Sequence, residues 1–264
     1  MKFKEKYGPW AVITGGSSGI GEEMAKIIAA NGVNIVLVAR RQNILDEKAE
    51  MLKNQFGIEV ETISADLTKK KDLDKVLKET ENLEIGLLIP NAAIENHGYL
   101  VDIELEKELA AVQMDITSVL TMTHHYGKKM SDRGRGGILL VSSMIGHVPN
   151  PYFANYSGIK AYIAYMGFSL HYEMKQRGVD VTVLSPGPTD TPMLQGAGDG
   201  MDINKMPMTI QQPDYVAQLA IDGLGKKPHV IPGKKNTIMV RMTKMMPIAK
   251  AINSGGKMMD KVMG

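Results

Sequence analysis

Apolar residues along this chain fall in short unbroken runs separated by longer stretches of helical period. Trp10-Ala11-Val12-Ile13-Thr14 is the first run, and an apolar segment of that length bounded by glycine reads as a strand buried on both faces. Met24, Ala25, Ile27 and Ile28 then recur at helical spacing within 22–31, which predicts the helix that follows. The alternation continues with a strand over 33–39, a helix near 43–55, a strand over 59–64, a helix near 72–81, a strand over 85–89 and a long helix around 103–130. It resumes with a strand over 138–141, a helix carrying Tyr156 and running to Lys175, and a strand over 180–184. Such a pattern predicts a parallel sheet with helices on both faces. No linker, repeat or low-complexity tract interrupts it, so 1–264 reads as one domain, a common length for this class.

Two constellations carry chemistry. The first is the loop Thr14-Gly15-Gly16-Ser17-Ser18-Gly19-Ile20-Gly21 between strand and helix. Glycines there let the backbone approach a pyrophosphate, which the exposed N–H groups and positive dipole of a helix start would bind. A phosphate-binding P-loop is excluded, because no Gly-Lys-Ser/Thr follows the last glycine. The second is Tyr156 with Lys160, four apart on one helix and therefore on one face, preceded by Ser142-Ser143 at the end of a strand. An ammonium beside a phenol favours the phenolate, so Lys160 is expected to lower the Tyr156 pKa and make it a general acid or base. Tyr-x-x-x-Lys alone arises by accident in a chain with nine tyrosines; its place after a strand end, where open α/β sheets keep their sites, gives it weight.

The spacing of Gly15, Gly19 and Gly21, with Asn91-Ala92, Asp66-Leu67, Ser143, Tyr156, Lys160 and Pro186-Gly187 followed by Thr191, resembles the short-chain dehydrogenase/reductase family over roughly residues 8–235. The resemblance implies a Rossmann-type doubly wound parallel sheet in three layers, α/β/α. It implies that Ser143 hydrogen-bonds a substrate carbonyl, that Tyr156 protonates it, and that Lys160 holds the nicotinamide ribose. It further implies a cofactor cradle of Gly15, Ser17, Ser18, Gly19, Ile20, Gly21, Asp66, Leu67, Asn91, Ala92, Pro186, Gly187, Thr189 and Thr191. Three positions depart from the family pattern. Asp115 stands where Asn usually completes the catalytic set, Pro90 replaces the first Asn of Asn-Asn-Ala-Gly, and Ala93 replaces its Gly.

Cofactor choice is read where the second strand ends. An acid there would bind a ribose 2′-hydroxyl, whereas arginine accommodates a 2′-phosphate. The chain places Arg40-Arg41 there and no acid before Asp46, so NADP (NADPH) is expected, with Arg40 its principal contact and Ser17 a helper.

The absence of cysteine excludes disulfides and thiol chemistry. No histidine spacing suits a metal, and a net charge of +2 with few aromatics does not suggest nucleic acid. The lack of an apolar signal region leads to the expectation of a cytoplasmic protein. The irregular segment 190–212 is read as a substrate lid, with Met193, Leu194, Met201, Met206 and Met208 as an adaptable wall. From Lys226 onward nine basic residues face the single acid Asp260. Methionine and isoleucine interleave with these charges over 241–264, which suggests short basic amphipathic helices broken at Pro247 and at Ser254-Gly255-Gly256. Such a tail would either pack on a neighbouring subunit or meet anionic lipid or an acidic acyl carrier. The resulting expectation is an NADP-dependent reductase of apolar or acyl-type ketones or aldehydes, or oxidase of the alcohols, acting as a homodimer or homotetramer. A non-catalytic NADPH sensor on the same fold is the alternative.

Overall fold

Every apolar run becomes a strand, and the strands lie in one parallel sheet. A computed structural model describes residues 2–196, 201–202, 205 and 208–263. The strands are β1 (Trp10–Thr14), β2 (Asn34–Ala39), β3 (Val60–Ser64), β4 (Ile85–Pro90), β5 (Gly136–Val141), β6 (Val179–Leu184) and the short β7 (His229–Val230). Their order is β3-β2-β1-β4-β5-β6-β7, so the chain reverses direction across the sheet between β1 and β4. Ligands of open α/β sheets bind beyond the carboxyl ends of the strands at that point.

The helices are α1 (Phe3–Tyr7), α2 (Gly19–Ala30), α3 (Gln42–Phe56), α4 (Lys70–Glu79), α5 (Leu105–Val112), α6 (Ser118–Arg133), α7 (Ala154–Lys175), α8 (Pro192–Gly196), α9 (Pro213–Gly223), α10 (Lys234–Lys244) and α11 (Ile248–Met263). Successive strand residues point to opposite faces, and both faces are covered. Ala11, Ile13, Ile35, Leu37 and Leu139 pack with α2, α3 and α9. Val12, Val36, Val38, Ile138 and Leu140 pack with α4, α6 and α7. This double burial is why the strands lack polar alternation. Pro90, which has no N–H for a ladder, sits at the last position of β4 opposite Thr14.

Two elements differ from the sequence reading. The long helix expected around 103–130 is interrupted by one turn of π-helix over Gln113–Thr117, between α5 and α6. An inserted turn of this kind spreads the backbone locally and is frequent at functional sites; here it carries Asp115. The break expected at Ser254-Gly255-Gly256 does not occur, because α11 runs through it. The helix packs there on Pro149 and Pro151, where a Cβ on Gly255 or Gly256 would stand in ordinary contact at 3.5–3.9 Å, and the burial of Ala251, Met259 and Val262 offsets the low propensity of the glycines. No described helix is long and apolar enough to cross a membrane.

Candidate active site

The carboxyl ends of β1, β4 and β5 frame one cavity of about 730 Å³. At its floor the glycine loop turns with Gly15 and Gly19 at φ of 66° and 58°, a region open to glycine at no cost. A Cβ on Gly19 would stand 2.8 Å from Thr191, and one on Gly21 would stand 2.5 Å from Asn91 Nδ2. Hydrogen bonds hold this cradle: the Asn91 and Ala92 amides both donate to Thr14 Oγ1 at 3.0 Å, and Asn91 Nδ2 donates to the Thr14 carbonyl at 3.1 Å. The cavity runs from Arg40 and Arg41 past Ser17, Ser18, Gly19, Ile20, Leu67, Asn91 and Ala92 to Lys160, Pro186, Gly187, Thr189 and Thr191. A path lined by backbone donors at a helix start, with arginines at one end and a buried lysine at the other, fits a nicotinamide dinucleotide. Gly21 supports this path from beneath. Asp66 stands outside it, with its carboxyl accepting from the Thr68 hydroxyl at 2.7 Å and held below the usual carboxylate range by that bond despite partial burial.

At the far end Ser143, Tyr156 and Lys160 converge. Ser142, given no role in the sequence reading, donates to the Lys160 carbonyl at 2.7 Å and ties the β5 loop to α7. Gly146 lies against the same turn, where a Cβ would stand 2.5 Å from the Lys160 carbonyl carbon. Lys160 Nζ donates to Asp115 Oδ1 at 2.8 Å and to the Val141 carbonyl at 3.4 Å, and the two side chains are 3% and 0% exposed. Asp115 Oδ2 accepts from the Ile94 amide at 2.9 Å. Burial pushes the Asp115 carboxyl up, and the Lys160 ammonium pulls against that rise.

The expected depression of the Tyr156 pKa is not found. Burial pushes the phenol well above its ordinary value, Glu95 and Asp115 add to the rise, and only a contact with the Ser143 hydroxyl opposes it. Burial thus prevails, and the Lys160 ammonium, whose Nζ stands 5.4 Å from the Tyr156 ring centre, is paired with Asp115. Glu95, also lining the cavity, gave no signal in the sequence.

Above the tyrosine the lid and the tail meet. Phe153, Tyr156, Met201, Met259 and Val262 form one buried apolar cluster, and the Asp202 amide donates to the Val262 carbonyl at 2.8 Å. Met193, Leu194 and Met208 line the cavity, while Met206 lies outside the described residues. Part of the apolar face of α11, through Met259 and Val262, is thus buried in the roof of its own site while Ile248 and Ile252 stay exposed, and this packing lends no support to a lipid or acyl-carrier contact. Behind the site Ser185 Oγ stands 2.9 Å from both His147 Nε2 and His229 Nε2. Burial, then the nearby Lys244 charge, push the two imidazoles down to about 3 and about 4.

Residues 9–202 match the family model of short chain dehydrogenases. The chain belongs to that family. The dehydrogenase is 33% identical over 241 residues to a 7beta-hydroxysteroid dehydrogenase of Mediterraneibacter gnavus, covering 91% of this chain and 92% of that one. A solved structure of a 7beta-hydroxysteroid dehydrogenase superposes with a TM-score of 0.89 at 31% identity, over 97% and 99% of the two chains. A short-chain dehydrogenase from Sphingobium yanoikuyae in complex with NADPH superposes at 0.79 with 27% identity, over 90% and 96%. The dehydrogenase is an oxidoreductase of hydroxyl and carbonyl groups.

Proposed function

We propose that this dehydrogenase uses NADPH to reduce a ketone on a large apolar framework of steroid type, and oxidises the alcohol in reverse. The observation that carries this reading is the single cavity with two arginines at one end and Ser143 and Tyr156 beneath a methionine roof at the other. Neither the Arg40 nor the Arg41 guanidinium has a hydrogen-bond or ion-pair partner among the described residues, which suits a 2′-phosphate. The relatives named for hydroxysteroids and the neighbour with bound NADPH point the same way.

When bound, the cofactor supplies the hydride. Lys160 has three donors; Asp115 and Val141 take two, and the third is left for a ribose hydroxyl. The Ser143 hydroxyl donates to the substrate oxygen as negative charge develops there, a contribution of about 3 kcal/mol for one such donor. Tyr156 gives that oxygen its proton. A phenol held protonated by burial and two acids is stocked for reduction. Exposed Leu105, Leu109, Leu120, Tyr165 and Tyr172 on α5, α6 and α7 support a homodimer or homotetramer.

Oxo-steroids and long-chain 3-oxoacyl thioesters, followed by NADPH absorbance, test the reading. Turnover of oxo-steroids is expected, and NADPH binding without turnover of any ketone would instead favour a sensor. Arg40→Ala is expected to narrow the kcat/KM preference for NADPH over NADH by roughly tenfold or more, from the loss of a charge-assisted hydrogen bond. A wild-type preference for NADH would overturn the cofactor assignment.

A further inference from the structure

Glu95 raises the Tyr156 pKa but handles no substrate atom in the chemistry above. It follows the Asn91-Ala92-Ala93 loop beyond β4, and the Ile94 amide bound to Asp115 fixes the backbone just before it. Its side chain is half-buried and lines the catalytic cavity with Ser143, Met114, Phe153 and Tyr156. Its charge is felt at Tyr156, and it feels in turn the charges of Lys160 and Asp115, so the carboxyl stands beside the reacting end of the cavity.

What separates Glu95 from the other acids is its lack of a partner. Among the described residues, every other acid that is not exposed is engaged: Glu22 and Glu23 by Lys26, Asp66 by Thr68, Asp72 by the Asp66 amide, and Glu108 by Asn155. Asp115 has Lys160, Asp180 has Tyr7, and Asp202 has Lys205. Glu95 makes no hydrogen bond or ion pair with any described residue. A polar group withdrawn from bulk water without a partner is costly, and such a group facing a ligand cavity is satisfied by the ligand.

We propose that Glu95 is a specificity residue that binds a second hydroxyl of the substrate, so that the preferred substrates are ketones carrying a hydroxyl on the same apolar framework. The inference rests on the reductase reading and narrows it. The choice of hydroxyl follows from the group itself. Burial raises Glu95 to about 7 against the pull of Lys160, so both forms are present near neutrality, one accepting and one also donating. A hydroxyl can answer either form. An ammonium can answer only the ionised one, and it would bring a second cation toward Lys160.

The test uses the full chain with NADPH, a parent mono-oxo-steroid, and a series of its derivatives that each carry one added ring hydroxyl at a different position. Wild type is expected to favour at least one hydroxylated member in kcat/KM by roughly tenfold or more, chiefly through KM. In Glu95→Leu that advantage is expected to vanish, and in Glu95→Gln, which still accepts and donates, to be largely retained. Should the leucine variant fail to fold, Glu95→Ala reads the same ratio. Turnover by wild type with no preference for any hydroxylated member, or a preference that survives in Glu95→Leu, overturns this assignment and leaves the reductase reading standing. Failure of wild type to reduce any ketone overturns both.

Discussion

Tyr156 occupies a site whose electrostatics are set from three directions. Its own helix brings Lys160, the π turn brings Asp115, and the loop after β4 brings Glu95. Removing the hydroxyl alone, in Tyr156→Phe, is expected to preserve NADPH binding by fluorescence titration while lowering the rate of reduction by about 10²-fold or more, the usual scale for a lost general acid. Asp115→Asn tests the electrostatics. Asp115 raises the Tyr156 pKa and pairs with Lys160, so its neutralisation is expected to bring the phenol down. The phenolate needed for alcohol oxidation then forms at lower pH, and the rising, acid-side limb of the oxidation profile is expected to move to lower pH than in wild type. Ser143, Tyr156 and Lys160 were legible in the sequence because their spacing on a strand end and one helix face is local information. The direction of the Tyr156 pKa was not, because it depends on acids delivered by other elements.

Among the elements, the contact between the loop after β5 and α7 brings Ser143 to Tyr156. Gly146 permits it, since a side chain there meets the Lys160 backbone rather than a flexible group. Gly146→Ala is expected to lower stability by about 1 to 3 kcal/mol, the common cost of overpacking, and to reduce kcat more than NADPH affinity as Ser143 is pushed from the tyrosine. Urea unfolding and steady-state kinetics on the same preparation check both. Strands β1, β2, β4 and β5 were readable as apolar runs and the main helices from their period, whereas the two-residue β7 and helix α9 were not anticipated. The π turn was not readable, because one extra residue in a turn leaves the apolar pattern nearly unchanged. Nor was the continuity of α11, where tertiary burial of Ala251, Met259 and Val262 overrides glycines that would break an isolated helix.

At the scale of the molecule, the two histidines on Ser185 link the loop after β5, the end of β6 and β7. With both rings neutral, one hydroxyl serves both, donating to one and accepting from the other. Both folded-state pKa values lie below the ordinary 6.5, at about 3 and about 4. The unfolded chain therefore binds more protons through that interval. Stability is expected to be full above about pH 6.5 and to fall as the pH drops toward 4. The urea midpoint measured at pH 7 and pH 4.5 reads this loss, and His147→Gln, which keeps a neutral partner for Ser185, is expected to shrink it. This network was invisible in the sequence, where the histidines and the serine are scattered and show no motif.

The π turn also limits how the chain can change in length. Each helical residue advances the side-chain direction by about 100°, so a one-residue deletion within 113–117 would restore an ordinary helix while rotating everything before it by that angle. Glu108, which accepts from the Asn155 side chain at the start of α7, would swing away from that contact, and Asp115 could no longer face Lys160 while α5 kept its seat. Substitutions here leave the phase of the helix intact and deletions do not. The turn is a counted spacer between two fixed contacts, its phase set by how many residues it holds, while Asp115 within it keeps its own role at Lys160.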